Sequence, residues 1–287
     1  ITATKLPNIS KILYVALIVR IILLFIGESV NLPDSGADSE NFEDIAWKFG
    51  KTGFPKVLDY FPGLDPYFYS WLIAIPYSLL ARSEMMVQAM SLFFGMGSVV
   101  LGWLLAEKIW NRNIADKVAW TITLFPSLIL YSILIMREVY IVFFLLLALY
   151  GVVLWTKTGS FKSIILAMAG FFAATLFHGA TFIGAIAFLT YVIFSNIKRI
   201  IKSLRNFRIN LKILLTIFLI IGSGFYIANN VYIPYLETFD YATDIKVLLQ
   251  KTQINTKGGA SWPEWTIISS PNEIFYKLPF RSIYFIF

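Results

Sequence analysis

Carboxylates gathered beside an apolar run are the residues of this chain best suited to chemistry. Asp34 and Asp38 lie in Pro33-Asp34-Ser35-Gly36-Ala37-Asp38-Ser39-Glu40-Asn41-Phe42, directly after the first long hydrophobic stretch. Like charges repel and hydrocarbon disfavours each of them, so acids held at the mouth of a lipid-soluble bundle point to a polar task. A carboxylate there could take the proton of an incoming hydroxyl as general base, although a solvated acidic loop would have the same composition.

Further along the chain stand Asp65, the pair Arg137-Glu138, the single histidine His178, and Arg281. Arg137, His178 or Arg281 could hold a phosphate through charge-assisted hydrogen bonds, the arginines with a bidentate fork. Simpler roles stay open for each: an ion pair for Arg137 and Glu138, a packed turn residue for His178 beside Gly179 and Ala180, and snorkelling to headgroups for Arg281. Arg20 sits deep in the first apolar run, where an unpaired cation is costly, so it is expected to face the bundle and bond an acid or carbonyls rather than substrate. Gly258-Gly259-Ala260-Ser261-Trp262-Pro263-Glu264-Trp265 fits either a loop closing over a site or a glycine turn with interfacial tryptophans.

The elements that must position these residues are membrane helices. Hydrophobic residues make up 58% of the chain and charged ones 14%, mean hydropathy is +0.72, and apolar runs of about 20 residues recur, each able to cross roughly 30 Å of hydrocarbon. This composition excludes an ordinary soluble domain. The net charge of +7 falls in short segments between apolar runs, as in cytoplasmic loops, and so speaks against a nucleic-acid partner. With no cysteine and one histidine, disulfides, thiolate metal sites and an all-histidine metal site are ruled out. No HExxH, Walker, GxSxG or dinucleotide glycine motif is present.

Loop charges orient the runs. Lys5 and Lys11 favour a cytoplasmic N-terminus ahead of a span from about Ile12 to Val30, which leaves the acidic loop outside. Phe42, Ile45, Ala46 and Phe49 recur at helical spacing and predict a short amphipathic surface helix. The segment from Tyr67 to Leu80 is too short for a comfortable span and contains Pro76; kept at the outer surface, it puts the later basic loops inside. Spans are then expected at about Val87 to Ile109, Val118 to Leu134, Val139 to Trp155, Ser163 to Phe177, Thr181 to Phe194 and Ile213 to Ile233, with an eighth starting at Leu278. The acid-free cluster Lys198, Arg199, Lys202, Arg205, Arg208 and Lys212 is the strongest orientation signal. The expected fold class is an all-α polytopic membrane protein, a bundle of at least 7–8 transmembrane helices with amphipathic helices in the first outer loop. One transmembrane domain covers residues 1–287, with outer loops at about 31–86 and 234–277. The chain begins at Ile and ends within an apolar run, so truncation at both ends, with helices beyond Phe287, is part of the expectation. Asp34, Asp38, Asp65, Arg137, Glu138, His178 and Arg281 all fall at the outer face in this topology.

Asp38-Ser39-Glu40-Asn41-Phe42-Glu43-Asp44-Ile45-Ala46 resembles the D-[E]-x-x-[YF]-x-x-x-A outer loop of the GT-C superfamily of integral-membrane glycosyltransferases, in particular the branch of protein O-mannosyltransferases and the lipid A aminoarabinose transferase. Arg20 in the first span, Asp65-Pro66-Tyr67-Phe68-Tyr69 opening a surface helix, a P-x-x-x-x-x-S span from Pro126 to Ser132, and Arg137-Glu138 at the second outer loop extend the resemblance over roughly residues 10 to 155. Serine at 39 replaces the usual second acid, which leaves open whether Asp34, Glu40 or Asp65 supplies that charge. The resemblance implies Asp38 as catalytic base, Glu138 as a second carboxylate near acceptor or metal, and a polyprenyl-phosphate sugar donor. The acceptor would be a glycan, lipid or protein hydroxyl. It also implies action at the non-cytoplasmic face of a bacterial-type inner or plasma membrane, among membrane lipids. Whether a divalent cation, Mg or Mn, is needed stays open. The alternatives are a polysaccharide polymerase of the O-antigen type using polyprenyl-pyrophosphate glycans, favoured by Arg137, Arg281 and the loop Pro234 to Lys277, and a transporter or flippase of an anionic lipid, favoured by Arg20.

Overall fold

In the computed structural model, residues 7–27, 29–30, 32, 35–205, 264–268, 270–273, 276–277 and 279–280 are described. Among them the chain is helical: α1 Pro7–Gly27, α2 Ala37–Gly50, α3 Phe68–Leu79, α4 Glu84–Ile109, α5 Arg112–Leu124, α6 Pro126–Tyr131, α7 Glu138–Thr158, α8 Phe161–Phe177 and α9 Phe182–Arg205. Within α1, α4 and α7 three stretches, Ile9–Gly27, Glu84–Ile109 and Glu138–Thr158, are long and apolar enough to cross a membrane, which marks the chain as a membrane protein. Asp34, Arg281, the 258–263 segment and the expected span from 213 to 233 lie outside the described residues, as does nearly all of the one starting at 278. Contacts divide the chain into two compact units, Ile1–Tyr232 and Ile233–Phe287. In the second, Lys277 Nζ donates to the Ile267 carbonyl at 2.7 Å and pairs with Glu273 at 2.8 Å.

Within the first unit α1 begins with Pro7 and ends at Gly27, a few residues ahead of the expected bounds. Its buried stripe is Ile9, Ile12, Ala16 and Arg20, while Tyr14, Ile18, Ile22 and Phe25 are exposed on the other flanks, as suits a helix bathed in lipid. The expected amphipathic helix is α2, with Phe42 and Ala46 buried and Asp38, Asp44 and Lys48 exposed. α3, at 12 residues, is about 18 Å long, well short of a bilayer core.

The expected continuous span from Val118 to Leu134 is corrected by a break. Pro126 has no amide hydrogen to continue the ladder and disfavours helical backbone in its predecessor; Phe125 accordingly adopts φ −72°, ψ 117°. Two helices result, α5 of 13 residues and α6 of 6, in place of one continuous helix. α8, at 17 residues, is shorter than the helices that qualify as spans.

α7 and α8 form an antiparallel hairpin closed by Gly159, whose φ of 61° suits a residue without a Cβ and whose amide donates to Trp155 O at 2.7 Å. Small residues let the two backbones touch: a Cβ on Gly151 would lie 2.5 Å from Ala167 N, and one on Gly170 2.5 Å from Ala148 N. Two apolar clusters mark opposite ends of the unit. One gathers Phe42, Tyr69, Val87, Met136, Tyr140 and Phe177; the other gathers Ile9, Ile12, Val99, Trp103, Ala106 and Ala115. At the second end Trp103 Nε1 donates to Asp116 at 2.7 Å, binding α4 to α5.

Candidate functional site

Asp38 is exposed in the first turn of α2, where a carboxylate is favoured by the positive end of the helix dipole. Phe42 follows one turn later on the same face and is buried. The guanidinium of Arg137 stands 5.5 Å from the centre of the Phe42 ring, within the range of a cation–π contact.

α2 is held in place from behind. Ser70 Oγ of α3 donates to the Phe42 carbonyl at 2.8 Å. Glu43, only 4% exposed, accepts from Tyr77 OH at 2.8 Å and from Arg82 Nε at 3.0 Å, with a further Arg82 Nη2 contact. Arg82 also reaches Asp44 at 3.0 Å and lies 5.8 Å from the Trp47 ring centre. Glu43, and then Asp44, hold the Arg82 guanidinium charged and push its pKa up. Burial and the bond to Glu43 push the Tyr77 hydroxyl up as well.

Arg137 and Glu138 occupy the start of α7, directly after the turn that ends α6. Arg137 Nε is 4.0 Å from Glu138 Oε1, a loose ion pair. Arg137 Nη1 is buried and makes no hydrogen bond among the described residues, so a donor that has already lost its water is open to an anionic acceptor. His178 caps the C-terminus of α8, as its position before Gly179 suggested, and its carbonyl accepts from Thr181 N at 3.1 Å and Thr181 Oγ1 at 2.8 Å. Burial, and then the nearby Arg137 cation, push the imidazole below its ordinary pKa, which keeps it neutral at physiological pH.

Arg137, Glu138, His178 and the Asp38-bearing face of α2 thus meet at one end of the first unit. Asp65 is differently employed: Oδ1 accepts from Tyr67 N at 2.8 Å, an Asx-type turn that starts α3. Beneath the cluster the hydroxyls of Tyr69, Ser91 and Tyr140 are buried without a hydrogen bond of good geometry, the two tyrosine rings lying 5.2 Å apart. These three, with Glu43 and Arg82, escaped the sequence reading, because nothing local distinguishes a tyrosine that buries its hydroxyl from one that merely packs.

Arg20 meets its expectation of facing inward and bonding carbonyls. It is fully buried; Nε donates to Ser132 Oγ at 2.9 Å, and Nη1 donates to the Ala16 and Thr123 carbonyls at 3.2 and 3.4 Å. The break at Pro126 frees carbonyls at the end of α5, and Arg20 takes one of them. Ser132 passes the link on by donating to Ile129 O at 2.6 Å.

No protein-family model, curated protein or solved structure matches this chain.

Chemically, the cluster offers cationic and neutral hydrogen-bond donors, Arg137 and His178, beside the Glu138 carboxylate; Asp38 stands exposed in the first turn of α2, one turn before the Phe42 ring that Arg137 touches. No group of three histidine, aspartate or glutamate side chains suited to a metal ion occurs among the described residues.

Proposed function

We propose that the chain is a polytopic membrane glycosyltransferase of GT-C type, moving a sugar from a polyprenyl-phosphate-linked donor to an acceptor hydroxyl at the non-cytoplasmic face. The supporting observation is the meeting of Arg137, Glu138 and His178 with α2 one turn from exposed Asp38. In this reading the lipid tail lies among the helices and its phosphate reaches the buried, uncommitted Nη1 of Arg137. The acceptor oxygen attacks the anomeric carbon, its proton passes to Asp38, and the carbon–oxygen bond to the phosphate breaks with its electron pair leaving on the phosphate. Direct displacement inverts the anomeric centre and forms no sugar–protein bond. Arg137 stabilises the charge that grows on the leaving phosphate, and Glu138 orients the acceptor. The bundle would contain seven to eight spans, counting segments beyond those described, with Arg112 and Arg205 on the cytoplasmic side. Arg20, the residue most favourable to a carrier, commits Nε and Nη1 to protein acceptors, which weighs against a transport pathway through the span.

The test is a membrane assay with radiolabelled polyprenyl-linked sugars. Transfer of one sugar to an acceptor is the expected result. Extension of a lipid-linked glycan chain would instead identify a polymerase, and translocation without transfer would reject the enzyme reading.

A further inference from the structure

The apolar side of α2 is turned inward. Phe42 and Ala46 are buried, and the Phe42 ring meets Tyr69 of α3 edge-on at 5.5 Å, so the face that would suit a membrane surface is already covered by protein. The chain that joins α2 to α3 does the opposite. Phe54, Leu58, Tyr60 and Phe61 follow closely there, each with 43–54% of its surface open, an apolar density that water disfavours. Lys51 and Lys56 stand exposed among them, and Asp59 is the only acid between residues 48 and 61.

These side chains rest on a fixed base. Val57, in the 3-10 turn Lys56–Tyr60, is fully buried, and its carbonyl accepts from Trp71 Nε1 of α3 at 3.0 Å. Phe61 meets the Trp71 ring at 4.9 Å, and Tyr60 stacks on Phe49 at 5.2 Å. The spans set the level of this turn in the membrane. α4 and α7 are both long and apolar enough to cross, and their first turns place Val87, Val139 and Tyr140 in the apolar cluster of Phe42, Phe68 and Tyr69. α2 and α3 therefore sit at the end where these helices enter the hydrocarbon, the zone in which aromatic side chains and lysines gather.

We infer that the turn at residues 54–61 is a bilayer-docking element whose partner is an anionic lipid surface. Phe54, Leu58, Tyr60 and Phe61 enter the boundary between headgroups and acyl chains, and Lys51 and Lys56 pair with lipid phosphates. Buried apolar area and the attraction of lysine to anionic headgroups add in such binding, each lysine contributing about fivefold in lipid preference. Docked in this way, the turn fixes the height of α3 above the hydrocarbon and, through the bond from Ser70 to the Phe42 carbonyl, that of α2. Such docking is independent of sugar transfer.

The chain has no cysteine, so a fluorophore on Leu58→Cys or Phe61→Cys, both exposed positions, reports the surroundings of the turn in the full chain reconstituted into vesicles. The vesicles contain phosphatidylcholine and phosphatidylglycerol in equal parts, with a nitroxide on the acyl chain of one lipid or the other. Acrylamide tests access from water. Strong quenching by nitroxide lipid is expected, with acrylamide quenching well below that of the same fluorophore free in buffer. Phosphatidylglycerol should quench more than phosphatidylcholine, by up to about fivefold for each lysine, and Lys51→Gln with Lys56→Gln should abolish that preference. Acrylamide quenching equal to that of the free fluorophore would put the turn in water and overturn docking. Shielding from lipid and acrylamide alike would mean that protein covers the turn, which overturns it equally. Lipid quenching with no preference for phosphatidylglycerol, or with a preference that survives loss of both lysines, would overturn the assignment to anionic lipid.

Discussion

The guanidinium of Arg137 lies 5.5 Å from the centre of the Phe42 ring, one helical turn beyond Asp38. The aromatic face holds the cation next to the helix that carries the candidate base, and leaves its buried Nη1 uncommitted. Arg137→Lys retains a charge but loses the planar fork. It is expected to raise KM for the lipid-linked donor about 10- to 100-fold, consistent with loss of a charged hydrogen bond, while acceptor KM changes little. Equal donor kinetics for the lysine variant and the parent would take Arg137 out of phosphate binding.

Asp38→Asn preserves shape and removes basicity. Loss of a general base typically costs 10²- to 10⁴-fold in rate, and since Asp38 is exposed, the substitution should leave Tm within about 1 °C. Initial rates and thermal unfolding of the same preparation decide the matter: a rate near that of the parent would pass the role to another carboxylate.

Glu43 is expected to matter for stability and not for chemistry. Glu43→Ala leaves Tyr77 OH without its acceptor and Arg82 without its main partner, and the half-exposed Arg82 softens the loss because water can reach it. A destabilisation of about 2–3 kcal/mol follows, with activity lost in proportion to unfolding. Chemical denaturation in mild detergent measures it; an unchanged midpoint would show that α2 is held by apolar packing alone.

The pH dependence of stability should report His178. Its folded pKa lies below its ordinary 6.5 through burial and the Arg137 charge, so the unfolded chain binds the proton more readily than the folded one. The contribution is present above about pH 6.5 and is lost as pH falls through the lowered value. As the chain has no other histidine, His178→Asn should flatten the Tm profile between about pH 5 and 7. A profile as steep as the parent's would assign the slope to carboxylates.

Close helix contact makes Gly170 sensitive. Its added Cβ would meet backbone, Ala148 N at 2.5 Å, which cannot swing aside as a side chain can. Gly170→Leu should cost at least about 1–3 kcal/mol, visible as a lower Tm, whereas the same change at the open Gly36, which has nothing within 4 Å, should be tolerated far better.

Local pattern made several of these elements readable. Apolar runs define α1, α4 and α7, the 3.6-residue recurrence of Phe42 and Ala46 defines the inner face of α2, and Gly179 behind His178 marks a turn. Each rests on interactions within a few residues, so composition and spacing suffice. At Pro126 the same reasoning fell short, because hydropathy continues through the proline while the backbone cannot. Tertiary structure alone decided the pairings: Arg20 with Ser132, 112 residues apart, Glu43 with Tyr77 and Arg82, and Arg137 with Phe42. A buried charge or hydroxyl must find a partner wherever packing brings one within about 3 Å, and that partner is chosen by how helices cross, which no single helix encodes.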